Sequence, residues 1–127
     1  MKLIDTSCWI HALRRKGDPV VRDRVRALLD DKAAAWCQIV RLELWRGAEN
    51  EWDKQLMDFF ESHVKVLAIS TDVWQRSIHL SQRLREEGKS VPLTDLIIFA
   101  CASVHEVEVE HVDKHYDLLK ELFPLGI

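Results

Sequence analysis

The order of apolar and polar positions divides this chain into short apolar runs and longer stretches of helical period. Met1-Lys2-Leu3-Ile4 is a short apolar run, followed at once by the cap-forming residues Asp5-Thr6-Ser7. That order predicts a strand handing over to a helix, with Asp5 at the strand's C-terminal end. The helix through Cys8, Trp9, Ile10 and Leu13 should stop near Arg14-Arg15-Lys16-Gly17, and Asp18-Pro19 should start the next. In that second helix Val21, Val25, Leu28 and Leu29 form one face, and Arg22, Arg24 and Arg26 are read as a solvated one. Ala33-Ala34-Ala35-Trp36-Cys37 has alanine's bias toward helix, but it is short and is read as a buried strand.

A third helix is predicted through Ile39, Leu42, Glu43 and Arg46 to Gly47, with Ile39, Leu42 and Arg46 on one side and Glu43 beside them. Trp52, Leu56, Phe59 and Phe60 mark a fourth, packed helix. Val64 to Ile69 alternates, is rich in β-branched residues and reads as the clearest strand. Ser70-Thr71-Asp72 should cap a long helix through Val73, Trp74, Ile78, Leu80 and Leu84 to Gly88. After Pro92, the run Leu93-Thr94-Asp95-Leu96-Ile97-Ile98-Phe99-Ala100-Cys101-Ala102 is apolar on every side and predicts a buried helix with Asp95 in its first turn. There the carboxylate either caps the helix or lines a pocket. Val107 to Asp113 alternates as a strand ending on Asp113, and Tyr116, Leu118, Leu119 and Leu122 suggest a last short helix.

Strands alternating with helices imply an α/β domain whose mainly parallel sheet has helices on both faces. Ligands of such folds gather at the carboxyl ends of strands, where the pattern has put Asp5 and Asp113. At 127 residues, 47% hydrophobic and 31% charged, the chain is expected to form one domain over residues 1–127 with a real core. Neither a secretory signal nor a membrane span is expected, and Cys8, Cys37 and Cys101 read as reduced, buried thiols of a cytoplasmic protein. A net charge of −3 argues against a generally basic nucleic-acid binder, but not against an enzyme that grips a phosphodiester through metal ions.

Several motifs fail on inspection. Gly88-Lys89-Ser90 resembles the end of a phosphate-binding loop, but Arg83 stands where its first glycine must be. His105, Glu106 and His111 lack the i, i+4 histidine spacing of a zinc-protease helix. His11, His63, His79 and His115 are read as surface or satisfied histidines. There is no G-x-S-x-G elbow for serine catalysis. What remains is a set of acids: Asp5, Glu43, Asp95 and Asp113. If they converge, the site is all oxygen and strongly anionic, and its natural occupants are Mg²⁺ or Mn²⁺. Such a site is suited to phosphodiester hydrolysis.

Leu3-Ile4-Asp5-Thr6-Ser7, Val40-Arg41-Leu42-Glu43-Leu44-Trp45-Arg46-Gly47, Leu93 to Ala102, and His111-Val112-Asp113-Lys114-His115-Tyr116-Asp117 resemble, in order, the successive motifs of PIN-domain ribonucleases. They are most similar to the VapC-type toxins of bacterial toxin–antitoxin pairs. The resemblance implies a three-layer fold with a four- or five-stranded, mainly parallel sheet. It implies a Mg²⁺-dependent endoribonuclease in which Mn²⁺ substitutes, with Asp5, Glu43, Asp95 and Asp113 as catalytic and metal-binding acids and Thr6 as a hydroxyl beside the first. His111 stands where many members carry threonine, which leaves Asp117 as a second choice for the fourth acid. The resemblance further implies RNA as substrate, a cognate antitoxin, and a homodimer. Trp45, Trp52 and Phe60 are candidate antitoxin contacts or core residues, and Arg46 either steers RNA or is a plain surface charge. The alternative function is a non-catalytic PIN-like module that binds protein or RNA. A phosphotransferase of the haloacid-dehalogenase type would want a second acid two residues after Asp5, where Ser7 stands.

Overall fold

The computed structural model describes all 127 residues. Its elements run β1 (Lys2–Ile4), α1 (Thr6–Leu13), α2 (Pro19–Asp30), β2 (Ala34–Trp36), α3 (Gln38–Arg46), α4 (Glu51–His63), β3 (Lys65–Val66), α5 (Thr71–Glu86), α6 (Leu93–Val104), β4 (Glu108–Glu110) and α7 (Lys114–Leu122). The strands form one parallel sheet in the order β3-β2-β1-β4. β1 and β2 are central. Leu3, Ile4, Ala34, Ala35 and Trp36 are fully buried, as befits strands covered by helices on both faces. The alanine-rich segment is therefore a strand because its small side chains let helices close on the sheet. No helix is long and apolar enough to cross a membrane.

The expected long strand from Val64 to Ile69 shrinks to Lys65–Val66, and both residues are exposed. β3 is an edge strand paired only with β2, through Ala35–Lys65 and Trp36–Val66. One further bond, from the Leu67 amide to the Trp36 carbonyl, ends the pairing. The alternation seen in the sequence marks the buried anchors Val64 and Leu67 on either side of it. Likewise β4 stops at Glu110, so Asp113 lies beyond the strand and begins α7 instead.

α3 faces inward along a different stripe from the one expected, and α5 buries three of the five residues expected of it. In α3 the buried residues are Val40 and Leu44, while Leu42 is 68% exposed. In α5 they are Val73, Ser77, Leu80 and Leu84, with Trp74 and Ile78 in solvent. Ser77 reaches this buried face because its hydroxyl donates to the Val73 carbonyl (2.8 Å). In α4, Met57 and Phe60 enter the core, whereas Trp52 and Phe59 stay outside. Phe60 packs on Trp9 (ring centroids 4.9 Å), which also meets Trp36 (6.0 Å) and donates its indole N–H to the Ile4 carbonyl. This aromatic trio fastens α1 and α4 to the sheet. All three cysteines are free and buried.

The arginines of α2 are not simply solvated. The Arg22 guanidinium donates to the carbonyls of Arg14, Arg15 and Gly17, closing the turn between α1 and α2. That turn is tight enough that a Cβ on Gly17 would collide with the His11 carbonyl. Arg24 pairs with the buried Glu110 of β4 at 2.6 Å, and Lys2 reaches the same carboxylate at 3.3 Å. Removing one partner of a buried ion pair leaves a charge without compensation, which costs more than replacing the pair with apolar groups. Because the Arg24 side chain is half exposed and Lys2 remains, Arg24→Ala should lower stability by about 1–2 kcal/mol. Adding Glu110→Leu should recover most of that loss in urea unfolding. A double variant that loses as much as the sum of the singles would contradict it.

Candidate metal centre

Asp5 follows the last residue of β1, and its amide still donates to the Glu110 carbonyl at the end of β4 (2.9 Å). The sheet thus holds this residue's backbone while its carboxylate caps α1. One oxygen, Oδ2, accepts from the Ser7 hydroxyl (2.7 Å) and more weakly from the Ser7 amide (3.4 Å). The other, Oδ1, accepts from the Tyr116 hydroxyl at 2.8 Å. The residue is only 6% exposed, so each of these donors offsets lost hydration.

Asp95 occupies the first turn of α6, as expected, but it does not cap the helix. Pro92 is the N-cap residue and the turn has no side-chain cap. The Asp95 carboxylate instead meets α7: Oδ1 accepts from Tyr116 (3.4 Å) and Oδ2 lies 3.0 Å from His115 Nδ1. The carboxylate therefore does not cap α6 and faces the start of α7 instead. Asp113 is the N-cap of α7, accepts from the His115 amide (2.8 Å), and lies 2.9 Å from the same Nδ1. One ligand atom from each of Asp95, Asp113 and His115 falls within 4.8 Å of the others.

Glu43 stands apart from this cluster. It is half buried on α3, and its Oε1 accepts from the Thr6 hydroxyl at 3.1 Å. Thr6 is the residue next to Asp5, so Glu43 is tied to the edge of the site through it. Asp117 is 77% exposed and faces His111, 3.8 Å from its Nε2. Of the two choices for the fourth acid, only Asp113 shares a partner with Asp95. Arg46 is exposed at the end of α3 and makes no ion pair.

The electrostatics follow from this crowding. Burial, and then the neighbouring Asp5 and Asp113, push the Asp95 carboxyl above its ordinary range despite the opposing pull of His115. Burial and the Asp5 carboxylate likewise hold the Tyr116 phenol far above its usual value, so the hydroxyl remains a donor. The Cys8 thiol is pushed up to about 12 by burial first and Asp5 second, which excludes it as a nucleophile. Gathered carboxylates that repel one another fit a hard divalent cation. Asp95, Asp113 and His115 bring one donor atom each within 4.8 Å of the others and would hold it, with Asp5 joined to Asp95 through the Tyr116 hydroxyl and Glu43 at the rim.

Two members of this cluster, His115 and Tyr116, were not read as such from the sequence. Tyr116 looked like one position of an apolar stripe and is indeed 1% exposed, yet its hydroxyl bridges Asp5 and Asp95. His115 looked like a surface histidine. The available signal was position: the second and third residues after an N-cap Asp fold back over the helix start. His11 and His63 are ordinary by comparison. His11 Nδ1 accepts from the Asp18 amide, and His63 Nδ1 meets the Phe59 carbonyl.

A groove of about 290 Å³ opens beside Glu43, between α1, α3 and α4, lined by Leu13, Arg14, Trp52, Leu56 and Met57 among others. Of the three aromatic residues singled out for a partner, Phe60 belongs to the core and the Trp45 indole donates to Glu61 (3.0 Å). Trp52 is 68% exposed on this groove.

The chain is similar to proteins named ribonucleases. It is 29% identical to Ribonuclease VapC21 of Mycobacterium tuberculosis over 102 residues, 78% of this chain and 74% of that one. Ribonuclease VapC18 of the same organism is 28% identical over 118 residues, covering 90% and 83%. In fold it resembles VapBC2 from Rickettsia felis bound to a promoter DNA fragment, with TM-score 0.78, 18% identity, and coverage of 92% and 91%. It also resembles a toxin–antitoxin complex from Klebsiella pneumoniae, with TM-score 0.71, 24% identity, and coverage of 90% and 88%. The model of the PIN domain matches residues 2–122. The family model spans nearly the whole chain and the four-stranded parallel sheet agrees with it: this chain belongs to the PIN domain family.

Proposed function

We propose that this protein is a metal-dependent endoribonuclease, the toxin of a toxin–antitoxin pair, that hydrolyses RNA phosphodiester bonds at Asp5, Glu43, Asp95 and Asp113. One observation carries the reading. Three aspartates from distant parts of the chain meet around one tyrosine hydroxyl and one imidazole, at the carboxyl ends of parallel strands. The names of the similar proteins support the substrate class, and the likeness to a toxin–antitoxin complex supports the toxin role.

When bound, Mg²⁺ or Mn²⁺ would supply an activated water and charge stabilisation for in-line displacement at phosphorus. The chain's own residues set the stage for that chemistry. Ser7 and Tyr116 each occupy one oxygen of Asp5 and fix the plane of its carboxylate. Tyr116 ties the same hydroxyl to Asp95, so the strand end and the α6 start keep one spacing. Thr6 orients Glu43 at the edge, where an RNA backbone would enter. Preorganised groups of this kind need little rearrangement during reaction.

The cognate antitoxin is proposed to seat an apolar segment in the groove around Trp52, which opens directly beside Glu43. Large aromatic side chains on open grooves are frequent binding anchors. A homodimer and a cytoplasmic setting complete the proposal, and the exposed Trp74 and Ile78, one turn apart on α5, offer an apolar strip for self-association.

Asp5→Asn and Asp95→Asn should each reduce RNA cleavage at least about 100-fold, a loss expected when a charged group acting on the transition state is removed. Asp117→Asn should stay within about threefold of the parent, and a chelator should abolish activity of all. Retained cleavage by Asp5→Asn, or cleavage in excess chelator, would contradict the assignment.

The crowded carboxylates also predict a stability effect. Because the folded state raises the Asp95 pKa, ionising this group costs stability. The cost is absent below the ordinary carboxylate range, grows as pH rises through the folded-state value, and is fully present at neutral pH. In metal-free protein, Asp95→Asn should therefore raise Tm at pH 7. The gain should vanish near pH 4. Thermal melts at the two pH values check it, and a lower Tm at pH 7 would contradict it.

A further inference from the structure

We infer that His115 Nδ1 is a nitrogen ligand of the cation at this site and gives it a preference for Mn²⁺ over Mg²⁺. The inference rests on the metal-dependent reading above and adds a ligand outside the four acids.

The geometry is that of a coordination edge. Nδ1 lies 3.0 Å from Asp95 Oδ2 and 2.9 Å from Asp113 Oδ1. Donors set at about 2.1 Å around an octahedral ion are about 3.0 Å apart when adjacent, so both contacts match neighbouring ligands of one ion. A hydrogen-bonding role alone accounts for the arrangement less well. A ring nitrogen carries at most one proton: Nδ1 hydrogen-bonds Asp95 Oδ2, whereas Asp113 Oδ1, which accepts from the His115 amide, lies 2.9 Å from the same nitrogen with no hydrogen bond between them. By contrast, the Nδ1 atoms of His11 and His63 each meet a single backbone partner.

The ring is also held in place. The His115 amide donates to Asp113 Oδ1, which folds the residue back over the start of α7, and its side chain is 31% exposed, open on one side to incoming solute. With the ring's proton on Nε2, Nδ1 presents a lone pair between the two carboxylates. Imidazole is a ligand of first-row transition ions, whereas Mg²⁺ takes oxygen and water. A site of carboxylates plus one imidazole therefore discriminates between the two ions more than carboxylates alone.

The test uses wild-type protein and two variants, His115→Asn and His115→Gln, each checked for an unchanged circular dichroism spectrum. In Mn²⁺-loaded wild type, pulsed electron paramagnetic resonance should show modulation from one directly bound ¹⁴N, absent in both variants. By calorimetric titration the variants should lose about tenfold in Mn²⁺ affinity and less than about twofold in Mg²⁺ affinity. Bound Mn²⁺ without ¹⁴N coupling in wild type, or equal losses for both ions, overturns this inference alone. Wild-type protein that binds neither ion overturns it together with the metal-dependent reading on which it rests.

Discussion

The Tyr116 hydroxyl is the contact on which the site depends. It donates toward Asp5 at the end of β1 and Asp95 at the start of α6, from a ring buried in the core beneath α7. Three segments far apart in sequence are joined there, and two like charges are kept close. Such crowding raises the Asp95 pKa and opposes folding unless a cation or a donor compensates. A phenol held far above its usual pKa is a dependable donor, because at no ordinary pH does it add a further negative charge. The rest of the architecture serves this junction. The parallel sheet sends β1 and β4 in one direction, so Asp5 and the β4–α7 connection finish on the same side.

Much of this was legible in the chain because the determinants are local. Asp5-Thr6-Ser7 and Asp18-Pro19 announce helix starts through cap chemistry that works within one turn, and both side chains do cap. The apolar run after Asp95 packs into the core, with Leu96, Ile98, Ala100, Cys101 and Ala102 buried and Ile97 and Phe99 partly so, because nothing polar interrupts it. The misread features are those that tertiary packing decides. Leu42, Trp74 and Ile78 are as apolar as their buried neighbours, but α3 and α5 turn them to solvent while Val40, Leu44, Val73, Leu80 and Leu84 face the core. Val64 to Ile69 has the alternation of a strand, yet it sits at the sheet edge with one neighbour and pairs for two residues only.

The site followed the same division. The acids were visible as residue types at predicted element ends, and Asp5, Asp95 and Asp113 do converge. The separation of Glu43, joined through Thr6, was not visible, since it depends on how α3 leans on α1. His115 and Tyr116 were hidden by ambiguity of type: a tyrosine in an apolar stripe and a histidine near a helix start each have a common structural explanation. Only the fold shows that the phenol of one and the imidazole of the other end within a few ångströms of the same carboxylate, Asp95.

In the proposed reaction a water, activated among these acids, attacks RNA phosphorus in line. The most direct test is the chemistry of the RNA ends generated in cells after brief induction of the wild-type protein, beside the Asp5→Asn variant. Attack by water that expels the 3′ oxygen leaves new 5′-phosphate ends, and these should accumulate at defined positions with wild type and be absent with the variant. Ends bearing 2′,3′-cyclic phosphate, which require the RNA's own 2′-hydroxyl as nucleophile, or identical ends in both strains, would contradict it.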